Sequence, residues 1–225
     1  MTRRRTAVLI SGRGSNMRSL VAAAADPAFP AEIVLVLSNR ADAAGLADAA
    51  ARGVPTAIVE SRRFGRDRAA HEAALQEALL AHRVELVCLA GYMRLLTAGF
   101  VALWAGRMLN IHPSLLPAFP GLDTHARALA AGAKLHGATV HLVTAAMDDG
   151  PILGQAAVPV LPGDDADSLA ARVLAQEHRL YPAALASFLS GGGGAPAPDA
   201  ALLNPLPAAP GLSTRSPREQ DHPGG

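Results

Sequence analysis

Cysteine is nearly absent from this chain. Cys88 stands alone among 225 residues, so no internal disulfide can staple the fold. It lies in the apolar run Val87-Cys88-Leu89-Ala90, the setting of an inert buried thiol rather than a reactive one. Aromatic residues are only 4% of the chain, so Ala, Leu and Val must build the core. No apolar run is long enough to span a bilayer and no signal-peptide pattern opens the sequence, so a cytoplasmic protein without a membrane partner is expected. The formal net charge is +1, and no basic run exceeds Arg3-Arg4-Arg5, which argues against a general nucleic-acid binder. Half of the residues are apolar, enough for a sizeable core in one large domain or two small ones.

Short buried runs alternate with helical segments. Ala7 to Ile10, Ile33 to Leu37, Thr56 to Val59, Leu86 to Leu89 and Met108 to Ile111 read as strands. Helices are expected from about Asn16 to Ala25, Asp42 to Arg52, Arg66 to His82 and Ser168 to Phe188. That alternation means βαβ units and a parallel sheet. The pattern then changes: Ala138 to Val143 and Ile152 to Val160 read as a hairpin, so the expected fold is α/β with a mostly parallel, mixed central sheet. Beyond residue 189 glycine, proline, alanine and serine dominate. Residues 1–189 are therefore expected to form one domain and 190–225 a disordered tail.

Ser11-Gly12-Arg13-Gly14-Ser15-Asn16 joins the first strand to the first helix. Glycines let the backbone approach a ligand, and a helix N-terminus offers free N–H groups and a positive dipole end, so a phosphate suits Gly14, Ser15 and Asn16. Ser15 or Asn16 as a simple helix cap accounts for one side chain but not for both glycines. A dinucleotide site fits less well. Position 17 is Met rather than the third glycine, and the second strand ends Ser38-Asn39-Arg40 without the acid that would hold ribose hydroxyls, although Arg40 suits a phosphorylated cofactor. No Gly-Lys-Ser/Thr ending follows the glycines, which disfavours a nucleoside triphosphate.

The other chemistry-bearing stretch runs from Met108 to Gln155. Asn110 and His112 lie two apart at a strand end and so share a face, with Pro113 ending the ladder. An amide and an imidazole there can stabilise an oxyanion or relay a proton. Asp148, in the turn before Ile152, can orient the imidazole and accept a proton from an attacking amine. Taken singly, Asn-x-His is usually structural and Asp-Asp-Gly is usually a turn; their joint presence with the glycine loop favours a catalytic role. His125, His136 and His141 match no metal spacing, and no metal is expected. His141, in Thr139-Val140-His141-Leu142, reads equally as a core histidine or one oriented by a carbonyl or carboxylate.

These residues resemble the phosphoribosylglycinamide formyltransferases, folate-dependent enzymes of purine biosynthesis. The resemblance is carried by Val8 to Asn16, Leu89 to Leu96, Leu109 to Pro117, Pro120-Gly121, His136-Gly137, Val140-His141, Asp148 to Gln155 and Gln176-Glu177-His178, and it covers about residues 6 to 189. It implies a formyltransferase fold with a Rossmann-like N-terminal half. It also implies formyl transfer from the co-substrate 10-formyltetrahydrofolate to the amine of glycinamide ribonucleotide, by a monomer or weak homodimer. Asn110, His112 and Asp148 would be catalytic. Gly14, Ser15 and Asn16 would hold the phosphate and Glu177 the ribose. Tyr92, Met93, Arg94, Leu95 and Leu96 would line the folate pocket, with main-chain groups of Arg94 and Leu96 reading the pterin and the loop from Ala145 to Asp148 closing the other side. Two departures stand out. Asp148-Asp149-Gly150 replaces the family's Asp-Gly-Gly, and Asp123-Thr124-His125 replaces a common His-Thr-His. Formyltetrahydrofolate hydrolase and sugar-amine formyltransferase share the core elements. The hydrolase carries an extra N-terminal domain and methionyl-tRNA formyltransferase an extra C-terminal one, and neither is expected here.

Overall fold

The buried apolar runs become the strands of one sheet. In the computed structural model, which describes residues 2–191 and 202–203, the first is β1 (Arg4–Ile10). There follow α1 (Ser15–Ala24), β2 (Ala31–Ser38), α2 (Ala44–Ala51), β3 (Thr56–Ile58), a 3-10 turn (Ser61–Phe64), α3 (Arg68–Ala81) and β4 (Leu86–Leu89). The second half contains α4 (Ala98–Leu103), β5 (Met108–His112), α5 (Thr124–Ala130), β6 (Leu135–Leu142), β7 (Ile152–Pro159), α6 (Ala166–Ser190) and β8 (Leu202–Leu203).

The sheet order is β3-β2-β1-β4-β5-β6-β7-β8. β1 to β5 run parallel, β6 pairs antiparallel with β5, and β7 antiparallel with β6. The sheet is thus mostly parallel and mixed, as the change of pattern after β5 requires. Of the segment from 190 onward, expected to be disordered, Ser190 ends α6, Gly191 follows it, and Leu202 and Leu203 pair parallel with Gly154 and Gln155. The rest of that segment, 192–201 and 204–225, lies outside the described residues.

Strand alternation divides the core into two layers. Val8, Ile10, Leu109, Ile111, Val140 and Leu142 face α1, α2 and α6, while Leu9, Leu37, Leu89 and Met108 face α3 and α4. Each fully buried leucine contributes about 1.5–3 kcal/mol from removal of its surface from water. Helix starts follow capping chemistry. Asp67 accepts the Ala70 N–H at 2.9 Å, so α3 begins at Arg68 rather than two residues earlier. Asp165 and Ser168 form a reciprocal capping box, which starts α6 at Ala166. Among the described residues, no helix is long and apolar enough to cross a membrane.

Candidate active site

Alternation along β5 sends Leu109 and Ile111 into the α1/α6 layer, which leaves Asn110 and His112 together on the other face. The β5–β6 register sets His141 directly across from Asn110. Its neighbours Val140 and Leu142 point into the α1/α6 layer, so His141 faces the same way as Asn110. The loop between β6 and β7 folds back over this face and delivers Asp148.

Four side chains meet there. The His141 Nδ1–H donates to the Leu142 carbonyl at 2.9 Å, which leaves Nε2 as an acceptor for the Asn110 Nδ2 group 3.2 Å away. Burial lowers the His141 pKa against the opposing pull of the Leu142 carbonyl and Asp148, so a neutral ring is favoured, as the acceptor role needs. One N–H of the Asn110 amide is thereby fixed and the second remains for a ligand. The His112 Nε2–H donates to the Phe119 carbonyl at 3.0 Å, and Nδ1 faces Asp148 Oδ2 at 3.4 Å. A proton on Nδ1 makes that contact charge-assisted; without it, two lone pairs meet. The side chains of His112 and Asp148 are only 7% and 11% exposed, so water screens the pair weakly.

Asp148 is held from several sides. Its Oδ2 accepts the Gly121 N–H at 2.8 Å, and its Oδ1 lies 3.9 Å from His141 Nε2. Its backbone has φ of +54°, a conformation that aspartate tolerates better than most residues. Asp149 is exposed. Of the two acids, Asp148 is the one beside His112.

The glycine loop forms a second subsite. Gly14 adopts φ of +71°, and no side chain caps α1, so the first-turn N–H groups at Ser15 and Asn16 are open to an anion. Asn16 turns instead to Glu177, its Nδ2 donating to Oε2 at 2.5 Å. The two residues are 161 positions apart in sequence. Burial raises the Glu177 pKa, and the Asn16 bond opposes that rise. Arg40, considered above for a phosphorylated cofactor, is exposed and paired with Asp42 at 2.7 and 2.9 Å.

A third region lies beyond β4. A cleft of about 520 Å³ is lined by Gly65, Arg66, Arg68, Met93, Arg94 and Leu95. Tyr92 and Leu96 flank it half-buried, and the Tyr92 hydroxyl is buried without a partner among the described residues. The main-chain N–H groups of Arg94 and Leu96 make no hydrogen bond among the described residues. Ala145 is exposed in the loop that carries Asp148. His136 Nε2 and His125 Nδ1 lie 3.1 Å apart, and among the described residues no set of three His, Cys, Asp or Glu side chains could hold a metal ion.

The formyl transferase family profile matches residues 4–185, a span that holds every group just described. The chain belongs to the formyl transferase family. Within that family, the phosphoribosylglycinamide formyltransferase of Escherichia coli strain K12 is 44% identical over 184 residues, covering 82% of this chain and 86% of that protein. The crystal structure of phosphoribosylglycinamide formyltransferase from Brucella melitensis is 58% identical, covers 84% of this chain and 97% of its own, and has a TM-score of 0.80. The trifunctional purine biosynthetic protein adenosine-3 of Drosophila melanogaster is 48% identical over 191 residues, but this chain spans only 14% of its length.

The sequence alone does not reveal three groups of this candidate site: His141 as the partner of Asn110, and the main-chain groups of Phe119 and Gly121. The signal for His141 was its place on a strand that pairs with β5. The backbone groups had none, because Phe119 takes φ of +54° where nothing in the residue type calls for it.

Proposed function

We propose that this chain transfers the formyl group of 10-formyltetrahydrofolate to the primary amine of glycinamide ribonucleotide, giving formylglycinamide ribonucleotide and tetrahydrofolate in de novo purine biosynthesis. The observation that carries this is the cluster of Asn110, His112, His141 and Asp148 on one face. The uncapped start of α1 suits the ribonucleotide phosphate, with Glu177 beside it for the ribose. The cleft fits the folate: Met93 and Leu95 supply apolar walls, free main-chain groups at Arg94 and Leu96 suit a pterin, and Arg66, Arg68 and Arg94 suit its glutamate carboxylates. Residues 1–189 act as the catalytic unit.

The substrate amine attacks the formyl carbon, the C–N bond forms, and the carbonyl electron pair moves onto oxygen. Asn110 donates its free N–H to that oxyanion, and protonated His112 stabilises the same charge. Asp148 holds the imidazolium and accepts the proton that the amine must lose, directly or through water. Collapse of the tetrahedral adduct breaks the bond to the folate nitrogen, which takes up a proton as it leaves.

The test is consumption of 10-formyltetrahydrofolate with and without glycinamide ribonucleotide. Loss that depends on the amine supports the transferase. Equal loss without it would make the protein a hydrolase, and turnover only with an amino sugar would make it a sugar-amine formyltransferase. His112→Ala and Asp148→Asn should each lower kcat by about 10²–10⁴-fold with the fold intact. Near-normal turnover by either would remove that residue from the mechanism.

A further inference from the structure

Just after β2, where a dinucleotide-binding chain would place an acid, stands Asn39, and its side chain is buried in a different network. Asn39 Oδ1 accepts the Ser11 hydroxyl at 2.6 Å, and Asn39 Nδ2 donates to Ser61 Oγ at 3.4 Å. Ser11 Oγ in turn accepts the Met93 N–H at 2.8 Å, and the Ser11 N–H donates to the Gly91 carbonyl at 3.1 Å. The Ser61 N–H returns to the Asn39 carbonyl at 3.1 Å. The three links through side chains run one way, from the Met93 N–H through Ser11 and Asn39 to Ser61, so they polarise one another, and the Ser11 and Ser61 N–H groups run back the other way to close each end. Ser11, Asn39 and Ser61 are only 6%, 6% and 8% exposed, which leaves little water to replace a broken link.

The network joins three loops with different duties, and Asn39, from a fourth, bridges them. Ser11 opens the glycine loop, Met93 to Leu95 form one wall of the cleft, and Ser61 opens the 3-10 turn that runs into the other wall at Gly65 and Arg66. We infer that Ser11, Asn39 and Ser61 are positioning residues forming a buried clasp that couples binding in the folate cleft to binding at the phosphate loop, a role that presupposes the formyl-transfer reading. Filling the cleft fixes its walls. The clasp passes that ordering to Ser11, and Gly12 to Asn16 follow directly along the chain. Coupling of this kind is reciprocal, so the ribonucleotide must tighten the folate by the same factor.

Calorimetry of the full chain tests this. Glycinamide ribonucleotide is titrated alone and with saturating tetrahydrofolate, the product that cannot react. The wild-type affinity should tighten by about fivefold or more when tetrahydrofolate is present. In Asn39→Ala that factor should fall to within about twofold of unity, with a raised KM for 10-formyltetrahydrofolate and a kcat at double saturation within about threefold of wild type. Ser61→Ala cuts only the link to the far wall. It should give an intermediate factor, and it carries the test if Asn39→Ala does not fold. An active wild-type protein without coupling, an Asn39→Ala protein that keeps the full factor, or a variant that loses kcat alone would each overturn the clasp. A wild-type protein that binds neither compound would overturn the functional reading and the clasp with it.

Discussion

Gly150 offers the sharpest perturbation, because it sits two residues after Asp148 and against a rigid neighbour. A Cβ added there would lie 1.7 Å from the Leu142 carbonyl oxygen and 2.8 Å from its carbon. Tolerable contacts begin near 3.0 Å, so one side must yield by 3.0 minus 1.7, about 1.3 Å. Leu142 cannot easily move, since β6 is paired on both edges and the Leu142 N–H is bonded to Pro151 at 2.9 Å. The loop must therefore retreat and take Asp148 with it, away from its 3.4 Å contact with His112. A misplacement of about 1 Å at a reacting group costs roughly 10²-fold, so Gly150→Ala should lower kcat by about that factor. Overpacking of this kind should also cost about 1–3 kcal/mol in a urea melt. Initial rates at saturation of both substrates are the assay, with the melt confirming that the variant is folded. A folded Gly150→Ala enzyme with kcat within threefold of wild type would refute the view that this close approach holds Asp148 in place.

His141→Phe keeps a ring but removes the acceptor that fixes Asn110. In steady-state assays kcat should fall by as much as about 10²–10³-fold, the cost of one misdirected oxyanion donor, with KM little changed. In the wild type the His141 pKa is lowered by burial. The rate limb caused by its protonation should therefore lie on the acid side of the usual histidine value of 6.5, and a pH–rate profile locates it. Asp149→Gly, at an exposed position, should leave kcat within about twofold, as surface changes usually do. Glu177 has a raised pKa in the fold, so the folded protein holds a proton that the unfolded chain has released, and stability falls as pH rises from the unfolded to the folded value. Glu177→Gln should flatten that fall and raise the melting temperature at neutral pH. It should also weaken ribonucleotide binding if Glu177 holds the ribose.

Some of this was legible in the sequence. The strands at the sheet centre are unbroken apolar runs, such as Ala7 to Ile10, and a run buried on both faces has few alternatives. Parity alone put Asn110 and His112 on one face. The helices α4 and α5, six and seven residues long, were not anticipated. Helices that short are too brief for a periodic pattern, and tertiary contacts such as those of Phe100 and Ala128 hold them in place. His141 was ambiguous because a histidine in an apolar strand has the same sequence appearance whether it is packed or recruited. Only the long-range pairing of β6 with β5 decides between the two. The clasp at Asn39 was invisible for the same reason: Ser11, Asn39, Ser61 and Met93 come from four separate connections.

Because His141 reaches Asn110 through antiparallel register, the site is sensitive to the phase of the strand as well as to its composition. One residue inserted between Gly137 and His141 would turn the imidazole into the α1/α6 layer and bring Val140 or an equivalent apolar residue beside the amide, with every residue of the candidate site still in the sequence. Length changes in this region should thus accumulate in the turns at either end of β6, while the strand itself keeps its count.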